Sequence, residues 1–178
     1  MNPDDISTHA GDDYDKHLGA ISPPIYQNSL FTRKRGGSGY SYTRVSNPTT
    51  EVAEKIIAGL EHGEEARCFA SGMAAITSTV LHFVKTGTHI IAPVNIYMPM
   101  RYFLSEYLTR FGVEVTFVEG DDPSDFEKAL RPKTGLIYME SPSSNIFRLQ
   151  DLAEVAKIAQ ANNIPTMADN SWATPIFQ

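Results

Sequence analysis

Short apolar segments alternate with stretches of helical periodicity from residue 50 to residue 178. Segment 89–94, with the sequence HIIAPV, is a nearly continuous apolar run, which is typical of a strand buried on both faces of a parallel sheet. The pattern predicts strands at 65–70, 89–94, 113–118, 135–140 and 164–169, and helices at 50–60, 71–84, 98–111, 123–130 and 152–161. Because strands that alternate with helices form parallel βαβ units, the chain is predicted to be an α/β protein.

The region 1–49 differs from the rest of the chain. It contains proline and glycine pairs at 23–24 and 36–37 and few periodic apolar positions, which indicates an extended arm. Apolar side chains such as Phe31 favour an ordered arm over a disordered tail. We therefore expect two parts, an amino-terminal arm over 1–49 and a layered domain over 50–178.

The charge balance and the single cysteine limit the classes of partner. The 178 residues carry 15 Lys and Arg against 21 Asp and Glu, a net charge of −6, which argues against a general nucleic-acid binder. Cys68, the only cysteine, is expected to be a small buried side chain in the strand at 65–70. No apolar run reaches the ~18 residues of a membrane span, and the acidic start lacks the features of a signal peptide. These features predict a cytoplasmic protein with no membrane partner.

Candidate ligand-binding residues follow the predicted strands at the point where each strand ends. In open α/β sheets, ligands bind beyond the carboxyl ends of the strands. Ser71 and Gly72 open a helix after the first strand, a pattern that suits either phosphate binding or simple helix capping. Tyr97 follows the second strand, where it would lie against a planar ligand or pack at the edge of the core. Asp169 ends the fifth strand, and such a carboxylate is either functional or caps the next turn.

Other chemistries lack their sequence patterns. The five histidines show no metal-ligand spacing, and no CxxC pair occurs, so no metal site is predicted. A nucleophile elbow, a Walker loop and a dinucleotide fingerprint after a strand are all missing from the sequence. A nicotinamide-binding domain is therefore disfavoured.

Four segments in order resemble one enzyme family. They are 40–49 (YSYTRVSNPT), 69–75 (FASGMAA), 139–142 (MESP) and 168–175 (ADNSWATP). The chain resembles the pyridoxal 5'-phosphate (PLP) enzymes of cysteine and methionine metabolism, the transsulfuration group. The resemblance implies a three-layer α/β/α fold with a mostly parallel sheet, namely the large domain of the aspartate-aminotransferase-like (fold type I) PLP-dependent transferases, here truncated.

The resemblance assigns one set of residues to the cofactor phosphate. Gly72 and Met73 would give backbone N–H groups to the phosphate, and Ser71 would open the turn. Tyr42 and Arg44 would reach the phosphate of a neighbouring subunit, because a guanidinium fork suits phosphate geometry. A shared site of this kind implies a homodimer or a homotetramer.

A second set is assigned to the cofactor ring. Tyr97 would stack on the pyridine ring, and Asp169 would pair with the pyridinium nitrogen and keep it protonated. Ser171 would support the hydroxyl side of the ring. Glu140 and Ser144, in the polar turn after the fourth strand, complete the expected cofactor contacts. Ser144 stands where the family often has asparagine.

The sequence also indicates which reaction the family resemblance favours. Ser144, Trp172 and Pro99 are similar to residues of bacterial cystathionine β-lyases, which convert cystathionine to homocysteine, pyruvate and ammonia. The arm around Tyr42 and Arg44 is more similar to the γ-type enzymes. A cystathionine β-lyase is therefore the first expectation, and a cystathionine γ-synthase or a methionine γ-lyase is the alternative.

A missing lysine limits what the chain would do alone. The family's Schiff-base lysine lies beyond the aspartate motif, whereas the last lysine here is Lys157, before Asp169. The resemblance therefore implies the amino-terminal part of a longer enzyme, inactive by itself because that lysine both holds the cofactor and moves a proton. The alternative from another class is a non-catalytic module for cofactor binding or dimerisation.

Overall fold

The computed structural model describes residues 2–13, 16–32 and 39–178. Its contacts divide the chain into two compact units, Met1–Cys68 and Phe69–Gln178. The boundary between these units falls after Cys68. The division into an arm and a partial cofactor-binding domain stays a prediction, and the expected glycine pair at 36–37 lies outside the described residues.

Two helices lie in the described part of the first unit. Helix α1 (Pro3–His9) was not predicted, although its start carries a helix signature: the Asn2 side chain accepts a hydrogen bond from the Asp5 N–H at 2.8 Å, and Pro3 occupies the first turn. Helix α2 (Pro48–Leu60) confirms the helix predicted at 50–60. It begins in the same way, with Asn47 as its cap.

The second unit contains one sheet. Strands β1 (His89–Pro93), β2 (Glu114–Val118), β3 (Thr134–Glu140) and β4 (Thr166–Asp169) are all parallel and lie in the order β2-β1-β3-β4. Every residue of β1 is buried, as its nearly continuous apolar sequence predicted. The carboxyl ends of the four strands consequently meet at one edge.

Helices cover both faces of this sheet. Alternate residues of a strand point to opposite faces, so Ile90 and Leu136 join one apolar cluster while Ile91 and Ile137 join the other. Helices α3 (Gly72–Phe83) and α4 (Met98–Tyr102) pack in the first cluster, and helices α5 (Pro123–Lys128) and α6 (Leu152–Ala161) pack in the second. The predicted three-layer α/β/α arrangement is confirmed.

Four features of the structure differ from the predictions. Residues 65–70 form no strand, because no neighbouring strand pairs with them and the Cys68 N–H is bonded instead to the Glu54 carboxylate at 2.9 Å. Cys68 is exposed rather than buried. The helix predicted at 98–111 is not uniform: after α4 the backbone turns into a π-helical segment, Phe103–Tyr107, and a 3₁₀ turn, Leu108–Phe111. A short helix, α7 (Thr174–Phe177), follows the last strand, where no helix was expected.

A buried histidine links three strands at the amino end of the sheet. His89 is almost fully buried, and its two ring nitrogens are hydrogen-bonded to the hydroxyls of Thr134 and Thr116, each at 2.8 Å. Arg131 also bonds the Thr116 hydroxyl, at 2.9 Å, and pairs with Glu114. None of the helices described in 2–13, 16–32 and 39–178 combines the length and the apolar character that a membrane span needs.

Candidate active site

A cavity of about 530 Å³ opens at the carboxyl edge of the sheet in the second unit. Its walls come from the start of α3, the segment before α4, the turn after β3 and the segment after β4. Predicted site residues that line it are Ser71, Gly72, Met73, Tyr97, Glu140, Ser144, Asp169 and Ser171. The structure thus brings together all predicted site residues of this unit.

The amino end of α3 supplies hydrogen-bond donors to the cavity. Ser71 caps the helix, because its hydroxyl accepts a hydrogen bond from the Ala74 N–H at 3.1 Å. The preceding N–H groups, those of Gly72 and Met73, have no partner within the helix. A Cβ built on Gly72 would meet no atom within 4 Å, so open space lies beside this backbone. The end of a twelve-residue helix with free N–H groups attracts an anion.

Asp169 ends the edge strand β4 with an oriented carboxylate. One oxygen accepts hydrogen bonds from the Ser171 N–H at 3.0 Å and from the Ser171 hydroxyl at 2.7 Å. The other accepts a longer bond from the Tyr138 hydroxyl, at 3.4 Å. Burial, Asp169 and Glu140 raise the pKa of Tyr138, so this hydroxyl keeps its proton and can only donate to Asp169. The carboxylate is therefore held from both sides.

Glu140 lies in the floor of the cavity and contacts two of its walls. Its carboxylate accepts hydrogen bonds from the Tyr97 N–H and the Ser144 N–H, both at 2.7 Å. The Tyr97 ring itself is half-exposed and lines the cavity. The cavity thus combines the aromatic face of Tyr97, the anion-binding end of α3 and the Asp169 carboxylate. This combination suits a ligand with an anionic group and a planar, cationic ring.

An aromatic pair forms a further wall that the sequence did not indicate. The rings of Phe147 and Trp172 lie 4.9 Å apart at an angle of 54°, and both line the cavity. Phe147 and Asn145 have positive φ angles of 53° and 67°, which side-chain-bearing residues adopt rarely. Loop hydrogen bonds hold this conformation, among them Ser143 N–H to Arg148 O at 2.8 Å. Because such loop geometry depends on tertiary contacts, sequence periodicity carries no signal for it.

The two remaining predicted residues lie in the first unit. The Arg44 guanidinium stacks over the Tyr42 ring, 4.8 Å from its centroid. Their segment is held by Asn47, whose side chain donates to Tyr26 O at 3.0 Å and to the Thr43 hydroxyl at 3.1 Å. Their expected reach to a neighbouring phosphate stays a prediction.

No group of three or more His, Cys, Asp or Glu residues in the described ranges is arranged to hold a metal ion.

Comparison with known proteins gives consistent matches. A family profile described as "Cys/Met metabolism PLP-dependent enzyme" matches residues 4–178. The L-methionine gamma-lyase of Treponema denticola is 42% identical over 96% of this chain and 45% of that protein. The cystathionine gamma-lyase of Bacillus subtilis is 36% identical over 100% of this chain and 47% of that protein. The cystathionine beta-lyase of Coxiella burnetii is 38% identical over 96% of this chain and 44% of that protein.

A solved structure matches as well. The crystal structure of metB from Corynebacterium glutamicum superposes with a TM-score of 0.92 and 32% identity, and the match covers 98% of this chain and 46% of that one. The chain thus spans about half the length of the curated relatives it matches.

Proposed function

The chain belongs to the Cys/Met metabolism PLP-dependent enzyme family, and on this premise we propose that it forms the cofactor-binding part of a carbon–sulfur lyase acting on a sulfur-containing amino acid. The fold is that of the aspartate-aminotransferase-like (fold type I) PLP-dependent transferases. The observation that carries the proposal is that one cavity is lined both by the amino end of α3, with its free N–H groups, and by the Asp169 carboxylate.

The residues of the cavity fit PLP by their chemistry. The phosphate would accept hydrogen bonds from the Gly72 and Met73 N–H groups, where open space replaces a side chain. The Tyr97 ring would lie against the pyridine ring. Ser144, at the turn after β3, would border the ring hydroxyl, and Ser171 would act through the carboxylate that it orients.

Asp169 would hold a proton at the pyridine nitrogen. Its carboxylate is fixed by Ser171 and Tyr138, so it can face a cationic N–H without losing orientation. When bound, PLP would supply an electron sink for the pair left at the α-carbon of an amino acid that has lost its proton. A protonated nitrogen strengthens this electron withdrawal, which gives Asp169 its role in the reaction.

The first proposed substrate is cystathionine, cleaved at its β-carbon. Ser144, Trp172 and Pro99, shared with bacterial cystathionine β-lyases by resemblance, support this choice. A methionine γ-lyase is the second candidate, because a relative of that name shows 42% identity. The two reactions differ in product, since β-elimination from cystathionine leaves three-carbon pyruvate and γ-elimination from methionine leaves a four-carbon 2-oxo acid.

We also propose that the active protein is a homo-oligomer, a dimer or a tetramer. The support is the ordered pair Tyr42 and Arg44, with the guanidinium presented on a braced segment. By itself the chain would bind PLP without turnover, because no lysine follows Asp169 in its sequence.

Fluorescence of the only tryptophan tests cofactor binding. Trp172 lines the cavity, so added PLP is expected to quench its emission with a saturable dependence on concentration. Asp169→Asn should weaken binding by about tenfold, the loss of one charge-assisted contact. Asp5→Asn, which removes an exposed carboxylate from α1, is the matched control and should bind like the original chain. Equal binding by the Asp169 and Asp5 variants would contradict the proposal.

Sequencing the gene beyond codon 178 is the first step in testing which reaction the enzyme catalyses. If the frame continues to a lysine, its complete product is assayed with cystathionine and with methionine. Pyruvate from cystathionine supports the β-lyase, and a four-carbon 2-oxo acid from methionine supports the second candidate. Release of either product by the 178-residue chain with PLP, above the rate with PLP alone, would contradict the proposed need for that lysine.

A further inference from the structure

We propose that Glu140 is a positioning residue, which sets the place of the Tyr97 ring in the cavity through the Tyr97 backbone and does not contact the cofactor itself. The inference rests on the proposed function, in which Tyr97 packs against the pyridine ring. It replaces the expectation that Glu140 is a direct cofactor contact.

Both oxygens of the Glu140 carboxylate are used by backbone groups. One accepts from the Tyr97 N–H and the other from the Ser144 N–H, each at 2.7 Å, the length of a charge-assisted bond. Tyr97 precedes α4, whereas Ser144 lies in the turn after β3, so one side chain joins two separate walls of the cavity. Glu140 is only 5% exposed, which leaves little of it free to meet a ligand.

Gln150 fixes Glu140 in turn. The Gln150 carboxamide accepts from the Glu140 N–H at 3.2 Å and donates to the Glu140 carbonyl at 2.8 Å, so it satisfies the whole backbone of that residue. Gln150 is itself buried, and its backbone N–H donates to the Ser141 hydroxyl at 3.0 Å. Within the described ranges no Lys, Arg or His pairs with Glu140. Its charge is therefore stabilised by backbone N–H groups.

This arrangement makes the position of Tyr97 depend on an acceptor far along the chain. Tyr97 is the residue immediately before α4, and its N–H donates to the Glu140 carboxylate. Loss of that acceptor would leave a partly buried donor unsatisfied, which the segment would relieve by moving. The ring carried by this segment would then lose its fixed place.

Amide hydrogen exchange of the 178-residue chain without PLP reads these bonds directly. In the original chain, the Tyr97 and Ser144 amides are expected to be protected. Glu140→Gln keeps the size of the side chain but has one acceptor oxygen instead of two, so at least one of these amides should exchange about tenfold faster. Glu127→Gln, an exposed glutamate on α5, is the matched control and should leave both amides unchanged.

PLP titration provides the second measurement. Glu140→Gln should raise the dissociation constant for PLP and reduce the visible circular dichroism of the bound cofactor, because the ring would sit in a less ordered site. Glu127→Gln should change neither quantity.

The outcomes separate this inference from the proposed function. Exchange of the Tyr97 amide at the unprotected rate in the original chain, with no variant needed, would overturn the inference. A Glu140→Gln chain with weaker PLP binding but two protected amides would also overturn it, since Glu140 would then act by direct contact. If the original chain binds no PLP, the proposed function fails for this chain, and the exchange rates still decide whether Glu140 holds Tyr97.

Discussion

Replacing Gly72 with alanine separates the stability of the chain from its ability to hold a phosphate. Gly72 is the first residue of α3, and its added Cβ would meet no atom within 4 Å. Alanine is favoured over glycine in a helix by about 0.5–1 kcal/mol, and we take about 0.5 kcal/mol for a terminal position. At about 2–4 °C per kcal/mol for a chain of this size, the melting temperature should rise by about 1–2 °C.

Phosphate binding should change in the opposite direction. The open space beside Gly72 is where an anion would approach the free N–H groups of α3, and a methyl group there would hold it away. We expect the dissociation constant for PLP to increase by about tenfold, which corresponds to about 1.4 kcal/mol. A more stable chain that binds less cofactor is a result that general damage to the fold cannot produce.

Thermal melting and Trp172 quenching measure the two effects on the same samples. Gly63→Ala is the matched control, because a Cβ at Gly63 would have only ordinary contacts, the nearest at 3.8 Å, and Gly63 lies in the first unit. It should leave PLP binding unchanged. If Gly72→Ala bound PLP as tightly as the original chain, the assignment of the phosphate to the end of α3 would be refuted.

Two further predictions concern the stability of the second unit. Burial and the Arg131 cation lower the pKa of His89 below its ordinary value of 6.5, while Glu114 acts in the opposite direction. Below pH 6.5 the unfolded chain takes up this proton more readily than the folded chain, so the free energy of unfolding should fall as the pH is lowered from 6.5. The urea midpoint of unfolding should therefore change less with pH, between pH 7.5 and pH 5, in His89→Gln than in the original chain. Equal pH dependence of the two midpoints would contradict the assignment of this effect to His89. Phe126→Ala, at a fully buried position of α5, should lower the free energy of unfolding in urea by about 3–5 kcal/mol. Phe111→Ala, which removes a half-exposed ring, should lower it much less. Similar losses for both variants would refute the position of the second apolar cluster.

The layered fold was predictable because local sequence patterns and tertiary burial agree. The run at 89–94 predicted β1, and Ser71 before an apolar period of 3.6 predicted the start of α3. The predictions were wrong where contacts with other parts of the chain determine the local structure. Residues 65–70 have the composition of a strand but no partner strand. The helix predicted at 98–111 becomes π-helical where the rings of Phe103 and Tyr107 stack.

The candidate site was predictable as a set of residues but not as a set of bonds. Strand ends identify Tyr97, Glu140 and Asp169 because parallel strands finish at one edge of the sheet. The hydrogen bond between the Tyr97 N–H and Glu140 joins residues 43 positions apart, and no local pattern encodes it. Tyr138 was missed for the same reason, since its contact with Asp169 requires β3 and β4 to pair in their observed register.

The hydrogen bonds of His89 also specify how the strands align during folding. Thr116 reaches the imidazole only when β2 is paired with β1 in the observed register, with His89 opposite Glu114. A slip of β2 by one residue would turn Thr116 to the opposite face and set Val115 or Phe117 against the ring. The slip would also turn Val115 and Phe117 away from the apolar cluster that they pack against, and a buried imidazole without its partner adds a further penalty. One polar residue at the far end of the sheet thus reinforces the strand alignment that the hydrophobic core favours.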